Sequence, residues 1–137
     1  MKVPLSWLKE YVELPSNPLE LGKRLTSVGH MQDGPIKEIA GDQVLDLEIR
    51  QNRSDCYSIL GIAREAAAVL EKPLQMPPAY AVALPDAPSV TQIVIEDSQL
   101  CYRFHSVTVE GLRIEASPDW LRQKLEASGM KSVNNVV

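Results

Sequence analysis

Asp46-Leu-Glu-Ile-Arg-Gln-Asn-Arg-Ser-Asp-Cys-Tyr-Ser-Ile-Leu-Gly-Ile-Ala-Arg-Glu-Ala-Ala-Ala-Val-Leu70 changes its hydrophobic period part-way along, and that change decides the fold class. Leu45, Leu47 and Ile49 alternate with Asp46, Glu48 and Arg50, the two-residue repeat of a half-buried strand. From Ile59 onward, Ile62, Ala63, Ala66, Ala67 and Leu70 recur at the three-and-four spacing of one helix face, with Arg64, Glu65 and Glu71 elsewhere. Asn52-Arg53-Ser54-Asp55 is the joint. Either Ser54 or Asp55 is placed to cap the helix by accepting a bond from a first-turn amide. Strand, capped turn and helix in succession predict an α+β chain.

Working outward toward the N-terminus, the stretch before this joint reads as two short helices and a hairpin. Pro4 suits a first helical turn, where its missing N–H is harmless, with Ser6 as an alternative cap, and Leu5, Leu8 and Val12 share a face. Asn17 caps a second helix from Pro18, whose apolar side is Leu19, Leu21, Leu25 and Val28, and Gly29 stops it. Ile36 to Ile39 reads as a weak strand joined through Gly41-Asp42 to the strand of Val44 to Arg50.

Toward the C-terminus, five of the ten prolines fall between Pro73 and Pro88, which favours an extended linker. Val90 to Ile95 and Phe104 to Val109 then read as strands, and Ser117 caps a helix whose first position is Pro118. The closing Ser132-Val-Asn-Asn-Val-Val137 has the form of a helix start, with Ser132 or Asn134 as cap, and reads as part of a longer chain. The reading therefore divides the sequence into 1–72, a Pro-rich linker 73–89, and 90–137.

Composition narrows the function classes. The 137 residues carry a net charge of −4 with a pI near 5.2, and their mean hydropathy is −0.12. Neither half hides a basic region, because residues up to Lys72 hold nine Lys/Arg against eleven Asp/Glu and the remainder five against seven. No global positive field draws the chain to nucleic acid or an anionic membrane. The sequence holds no apolar run of roughly 20 residues for a bilayer span, and a cytoplasmic location is the default expectation.

Chemistry-bearing residues are sparse. Cys56 and Cys101 lack the spacing of a zinc site or redox pair, and neither has a sequence-adjacent histidine. His30 and His105 belong to no triad pattern, and a structural or solvated role is expected for both. Glu96-Asp97 reads as a solvated turn. Arg50, Arg53 and Arg64 around one turn could hold phosphate, but Glu48, Asp55 and Glu65 lie beside them, so ion pairing is the leading expectation, ahead of subunit contact and then RNA contact. Asn52 and Asp55 read as turn and cap residues. Gly61 costs a helix roughly 1 kcal/mol against Ala, and a core contact is expected to repay it, with close backbone packing as the alternative. The six residues Trp7, Tyr11, Tyr57, Tyr102, Phe104 and Trp120 read as core rather than as a base-stacking platform. No Gly-rich phosphate loop is present, so no ATP binding is expected from this chain.

The wording N-R-x-D-C-x-S-x-L-G-I-A-R-E, from Asn52 through Glu65, resembles a segment of the bacterial phenylalanyl-tRNA synthetase β subunit that closes its N-terminal domain. Met1 to Val12 resembles the start of the same subunit, and Pro118-Asp-Trp-Leu with Asn134-Asn-Val-Val137 resembles the entry to its next domain. The resemblance implies a small helix-helix-hairpin-helix N-terminal domain of the B1 type, followed by the truncated start of a mixed α/β B3/B4 editing domain. It departs from the family at Ala40-Gly-Asp-Gln43, where a tRNA-binding OB barrel is usually inserted.

The resemblance implies a part in charging tRNA(Phe), with an α subunit as partner in an α2β2 assembly. ATP and Mg2+ are implied for the complete enzyme and neither for this chain, which is expected to be inactive alone and to touch tRNA little. No catalytic, cofactor or metal residue is assigned. Asn52, Arg53, Asp55, Gly61 and Arg64 are the structural or interface candidates. The alternatives are a freestanding nucleic-acid-binding module and a synthetase-associated regulatory module.

Overall fold

The computed structural model describes residues 1–78 and 92–137, and contacts divide the chain into one unit of Met1–Pro78 with Glu115–Val137 and a second of Ala79–Ile114. Most of the predicted Pro-rich linker, and the start of the strand predicted from Val90, lie outside the described residues.

The larger unit is α+β. Its order is β1 (Lys2–Pro4), α1 (Leu5–Leu8), α2 (Pro18–Ser27), β2 (Met31–Gln32), β3 (Lys37–Ile39), β4 (Asp42–Glu48), a single 3-10 turn (Ser54–Cys56), α3 (Ile59–Leu70) and α4 (Asp119–Ala127). Strand β4 organises the sheet: β1, β2 and β3 all pair with it antiparallel, Val3 opposite Leu45, Met31 opposite Glu48 and Lys37 opposite Val44. The β3–β4 hairpin turns through Ala40 and Gly41, both at positive φ (52° and 79°), which matches the right-handed twist of the flanking strands.

The predicted alternation in β4 holds, with Leu45, Leu47 and Ile49 buried and Glu48 and Arg50 exposed. Helix α3 packs against α1 and α2, burying Ile59, Ile62, Ala63, Ala66 and Ala67, so strand and helix share one core with Val3, Leu8, Leu21 and Leu25. Asn17 caps α2 as expected, its side chain accepting from the Leu19 amide, and Gly29 follows that helix at φ 101°. On its apolar side only Leu21 and Leu25 are buried, while Leu19 and Val28 lie out in solvent because the core reaches just one turn of its width.

Several sequence expectations need correction. Pro4 ends a strand rather than opening a helical turn, because residues 2–4 find a partner in β4 that lies some forty residues further along the chain. Neither Ser54 nor Asp55 caps α3. They form the 3-10 turn, and Ser58, in extended conformation, is the cap, its hydroxyl accepting from the Gly61 amide at 3.0 Å. Ser117 caps nothing: Pro118 stands at the start of α4, and the Ser117 hydroxyl bonds to that of Ser132 at 2.7 Å. The Asn134 side chain accepts from the Val136 and Val137 amides, the arrangement of a helix cap. Of the six aromatic residues assigned to the core, Trp7 and Tyr11 pack against it and Tyr57, Tyr102, Phe104 and Trp120 are exposed.

In the second unit, residues 92–114 contain no strand and no helix, contrary to the strands expected over 92–95 and 104–109. Ile93, Val94, Ile95, Phe104, Val107 and Val109 are all exposed. A strand exists by ladder pairing, and none forms here among the described residues. Asp97 does form the expected turn, accepting from the Gln99 and Leu100 amides.

Candidate functional site

The joint between β4 and α3 gathers five side chains of the larger unit, those of His30, Arg53, Asp55, Cys56 and Glu65, into one cluster. After β4 ends, the 3-10 turn carries Arg53, Asp55 and Cys56 back across the first turns of α3, where Glu65 points toward them. His30 arrives from the other side, in the residue after the α2 stop.

Arg53 sits at the centre. Its Nε and Nη2 donate to the two carboxylate oxygens of Asp55 at 3.0 and 2.9 Å, a bidentate fork. The same Nη2 donates to Glu65 Oε1 at 2.6 Å and to Cys56 Sγ at 3.1 Å. Glu65 Oε2 lies 3.1 Å from His30 Nε2, so the carboxylate bridges the guanidinium and the imidazole. Cys56 Sγ donates to Asp55 Oδ2 at 3.4 Å and lies 4.0 Å from His30 Nε2. His30 is buried, and its Nδ1 has no partner among the described residues.

The electrostatics follow from these contacts. The hydrogen bonds from Arg53 hold the Asp55 carboxyl well below the usual carboxylate range, and those to Asp55 and Glu65 raise the guanidinium. Burial acts to raise Glu65, but the bonds from Arg53 and His30 outweigh it and leave it lowered. Burial, then the Asp55 carboxylate, pushes the Cys56 thiol up to about 11. That thiol is protonated at neutral pH and is no nucleophile.

Gly61 is where two backbones meet. A Cβ added there would stand 2.0 Å from the Asp55 carbonyl oxygen and 3.0 Å from Cys56 Cα. The close backbone approach therefore explains this glycine, where the sequence favoured an ordinary core contact.

Of the residues singled out from sequence, Arg53, Asp55 and Gly61 come together at the joint. Asn52 is exposed in the turn before it, and Arg64 is exposed on α3 with no ion pair among the described residues. Arg50 is likewise exposed, whereas the Arg53 guanidinium is engaged by Asp55 and Glu65. Sequence reasoning missed His30 and Cys56 as neighbours, since 26 residues separate them.

A groove of about 420 Å3 lies apart from this cluster, lined by Met1, Trp7, Tyr11, Tyr57, Leu60 and Met130 among others. None of the cluster's side chains lines it. The cluster itself does not suit magnesium, which takes oxygen ligands in octahedral array, whereas its donors include an imidazole and a thiol and its carboxylates are occupied by Arg53.

The comparisons with known proteins bear on this joint. A phenylalanine--tRNA ligase beta subunit of Rhodopirellula baltica is 36% identical over 141 aligned positions that cover 100% of this chain and 20% of the relative. The chain belongs to the phenylalanine--tRNA ligase beta subunit family. The beta subunit of Moorella thermoacetica is 45% identical over 101 positions, and that of Synechococcus sp. (strain JA-2-3B'a(2-13)) 44% over 96, each covering 70% of this chain and 12% of the relative. The chain thus spans between 12% and 20% of the length of these relatives. No family model matches it, and no solved structure matches it. Among the described residues, no helix is long and apolar enough to cross a membrane.

Proposed function

We propose that this chain is a non-catalytic scaffold segment from the amino-terminal portion of a phenylalanine--tRNA ligase beta subunit, a cytoplasmic enzyme that charges tRNA(Phe). Residues 1–72 form its B1-type domain without the OB barrel, 73–89 the linker, and 90–137 the first part of the editing domain. Its partner is the α subunit, and ATP, Mg2+ and tRNA(Phe) are handled by the complete enzyme.

The observation that carries this reading is the alignment to the Rhodopirellula baltica relative, which runs the full length of the chain with 141 positions against 137 residues. So few unmatched positions leave no room for a domain-sized insertion at Ala40-Gly41, which supports a barrel-free arrangement shared with that relative. The joint supports the scaffold role, because Arg53, Asp55, Cys56, Ser58, Gly61 and Glu65 are each spent on packing or internal bonds.

An aminoacylation assay tests the reading. The chain alone, and the chain mixed with a phenylalanine--tRNA ligase α subunit, should transfer no phenylalanine to tRNA(Phe), and charging by either would overturn it. A filter-binding titration should find no saturable RNA binding at low salt. Tight binding that falls steeply as salt rises would instead mark a nucleic-acid-binding module.

A further inference from the structure

We propose that His30, Cys56 and Glu65 form a site for a borderline-soft divalent metal ion of the zinc type, for which the Arg53 guanidinium is the resident competitor. Among the described residues, His30, Cys56 and Glu65 are a group whose ligand atoms all lie within 4.8 Å of one another. Asp55 Oδ2 stands beside this group, 3.4 Å from Cys56 Sγ, and zinc with three protein ligands takes water in its fourth position.

The spacing fits the coordination. Tetrahedral zinc with one sulfur, one imidazole nitrogen and carboxylate oxygens sets neighbouring ligand atoms roughly 3.4 to 3.6 Å apart. Here Sγ to His30 Nε2 is 4.0 Å, Nε2 to Glu65 Oε2 is 3.1 Å and Sγ to Asp55 Oδ2 is 3.4 Å. The Sγ–Nε2 and Nε2–Oε2 pairs reach the required separation with a shift of about half an ångström or less, and the Cys56–Glu65 pair, within 4.8 Å, closes by rotation of the Glu65 side chain. The mixed nitrogen, sulfur and oxygen set selects zinc or cobalt over magnesium or calcium.

Arg53 Nη2 now fills the place of the cation, with Asp55 Oδ2, Glu65 Oε1 and Cys56 Sγ all within 3.1 Å of it. Its side chain is 33% exposed, so it can leave toward solvent without crossing the core. Binding is then an exchange: the metal forms a bond to the Cys56 sulfur, the thiol proton passes to buffer, and the guanidinium departs. His30 Nδ1 has no outer partner among the described residues to strengthen the imidazole, which keeps the affinity modest.

Titrating the full chain with Co2+ under reducing, thiol-free conditions reads the site through the thiolate-to-cobalt absorption band. A saturable band that Zn2+ abolishes, persists in Cys101→Ser and disappears in Cys56→Ser and in His30→Gln is the expected result. Arg53→Gln, which removes the competing cation, should tighten cobalt binding by about tenfold or more. No band from the unaltered chain in large cobalt excess, or a band that survives Cys56→Ser, would overturn the site. Unchanged affinity in Arg53→Gln would overturn the exchange with Arg53.

Discussion

Residues 45–70 and residues 92–114 hold similar proportions of large apolar side chains, yet the first buries them and the second leaves them in solvent. In the first, β4 is gripped by three strands and α3 closes over the same face, so alternation becomes burial. In the second, the runs Ile93-Val94-Ile95 and Phe104 to Val109 are rich in β-formers yet form no strand among the described residues. Propensity for a strand is a statement about fitting a half-buried pleated surface, and it is realised only where that surface exists.

Substitutions should separate the two regions sharply. Leu47→Ala removes a fully buried side chain from the centre of β4 and should lower the stability of the folded unit by about 2–5 kcal/mol in denaturant titration. A loss near zero would mean that β4 does not anchor the core. Gly61→Ala comes next: helix propensity alone would favour it, but the clash with the Asp55 carbonyl should make it destabilising by about 1–3 kcal/mol. A stabilised variant would show that the 3-10 turn moves aside easily.

The charged network distinguishes the joint from an ordinary loop. Glu65→Gln should cost about 1–2 kcal/mol at neutral pH, since it leaves His30 and Arg53 without their shared anion. The sign of the pH dependence follows from the depressed carboxyls: Glu65 and Asp55 stabilise fully above the unfolded carboxylate range of about 4 and lose that contribution as pH falls through their lower folded values. Acid unfolding of Glu65→Gln should therefore be flatter below about pH 5 than that of the unaltered chain. Parallel acid curves would remove Glu65 from the account.

Ser58→Ala should cost about 1 kcal/mol through loss of the α3 cap, whereas Ser54→Ala should be nearly silent. The reverse order would restore the cap expected from sequence. At the small end, Ile95→Ser should change unfolding stability by less than about 0.5 kcal/mol. Amide exchange should repeat the contrast, slow in β4 and α3 and fast over 93–95 and 104–107.

The period change at Asp46 to Leu70 was legible because one face of each element meets the same core, and Asn17 and Gly29 bounded α2 by local chemistry that needs no distant partner. What depended on distant partners was hidden. Nothing in Lys2-Val-Pro4 announces a strand until β4 lies beside it, and no spacing brings His30 to Cys56. The cap was misplaced by four residues at most because Ser54, Asp55 and Ser58 are all good cap residues, and only the path of the 3-10 turn chooses among them. The aromatic residues misled for another reason: Tyr57 hydrogen-bonds the Ile49 carbonyl through its hydroxyl while its ring stays in water, so size alone did not imply burial.

The meeting of two backbones at Gly61 changes what the string from Asn52 to Glu65 can be used for. Its letters spell a mechanical joint: a fork of two charges, a hydroxyl that starts a helix, and a bare Cα where the chain crosses itself. Another protein carrying that spelling should be credited with the same elbow.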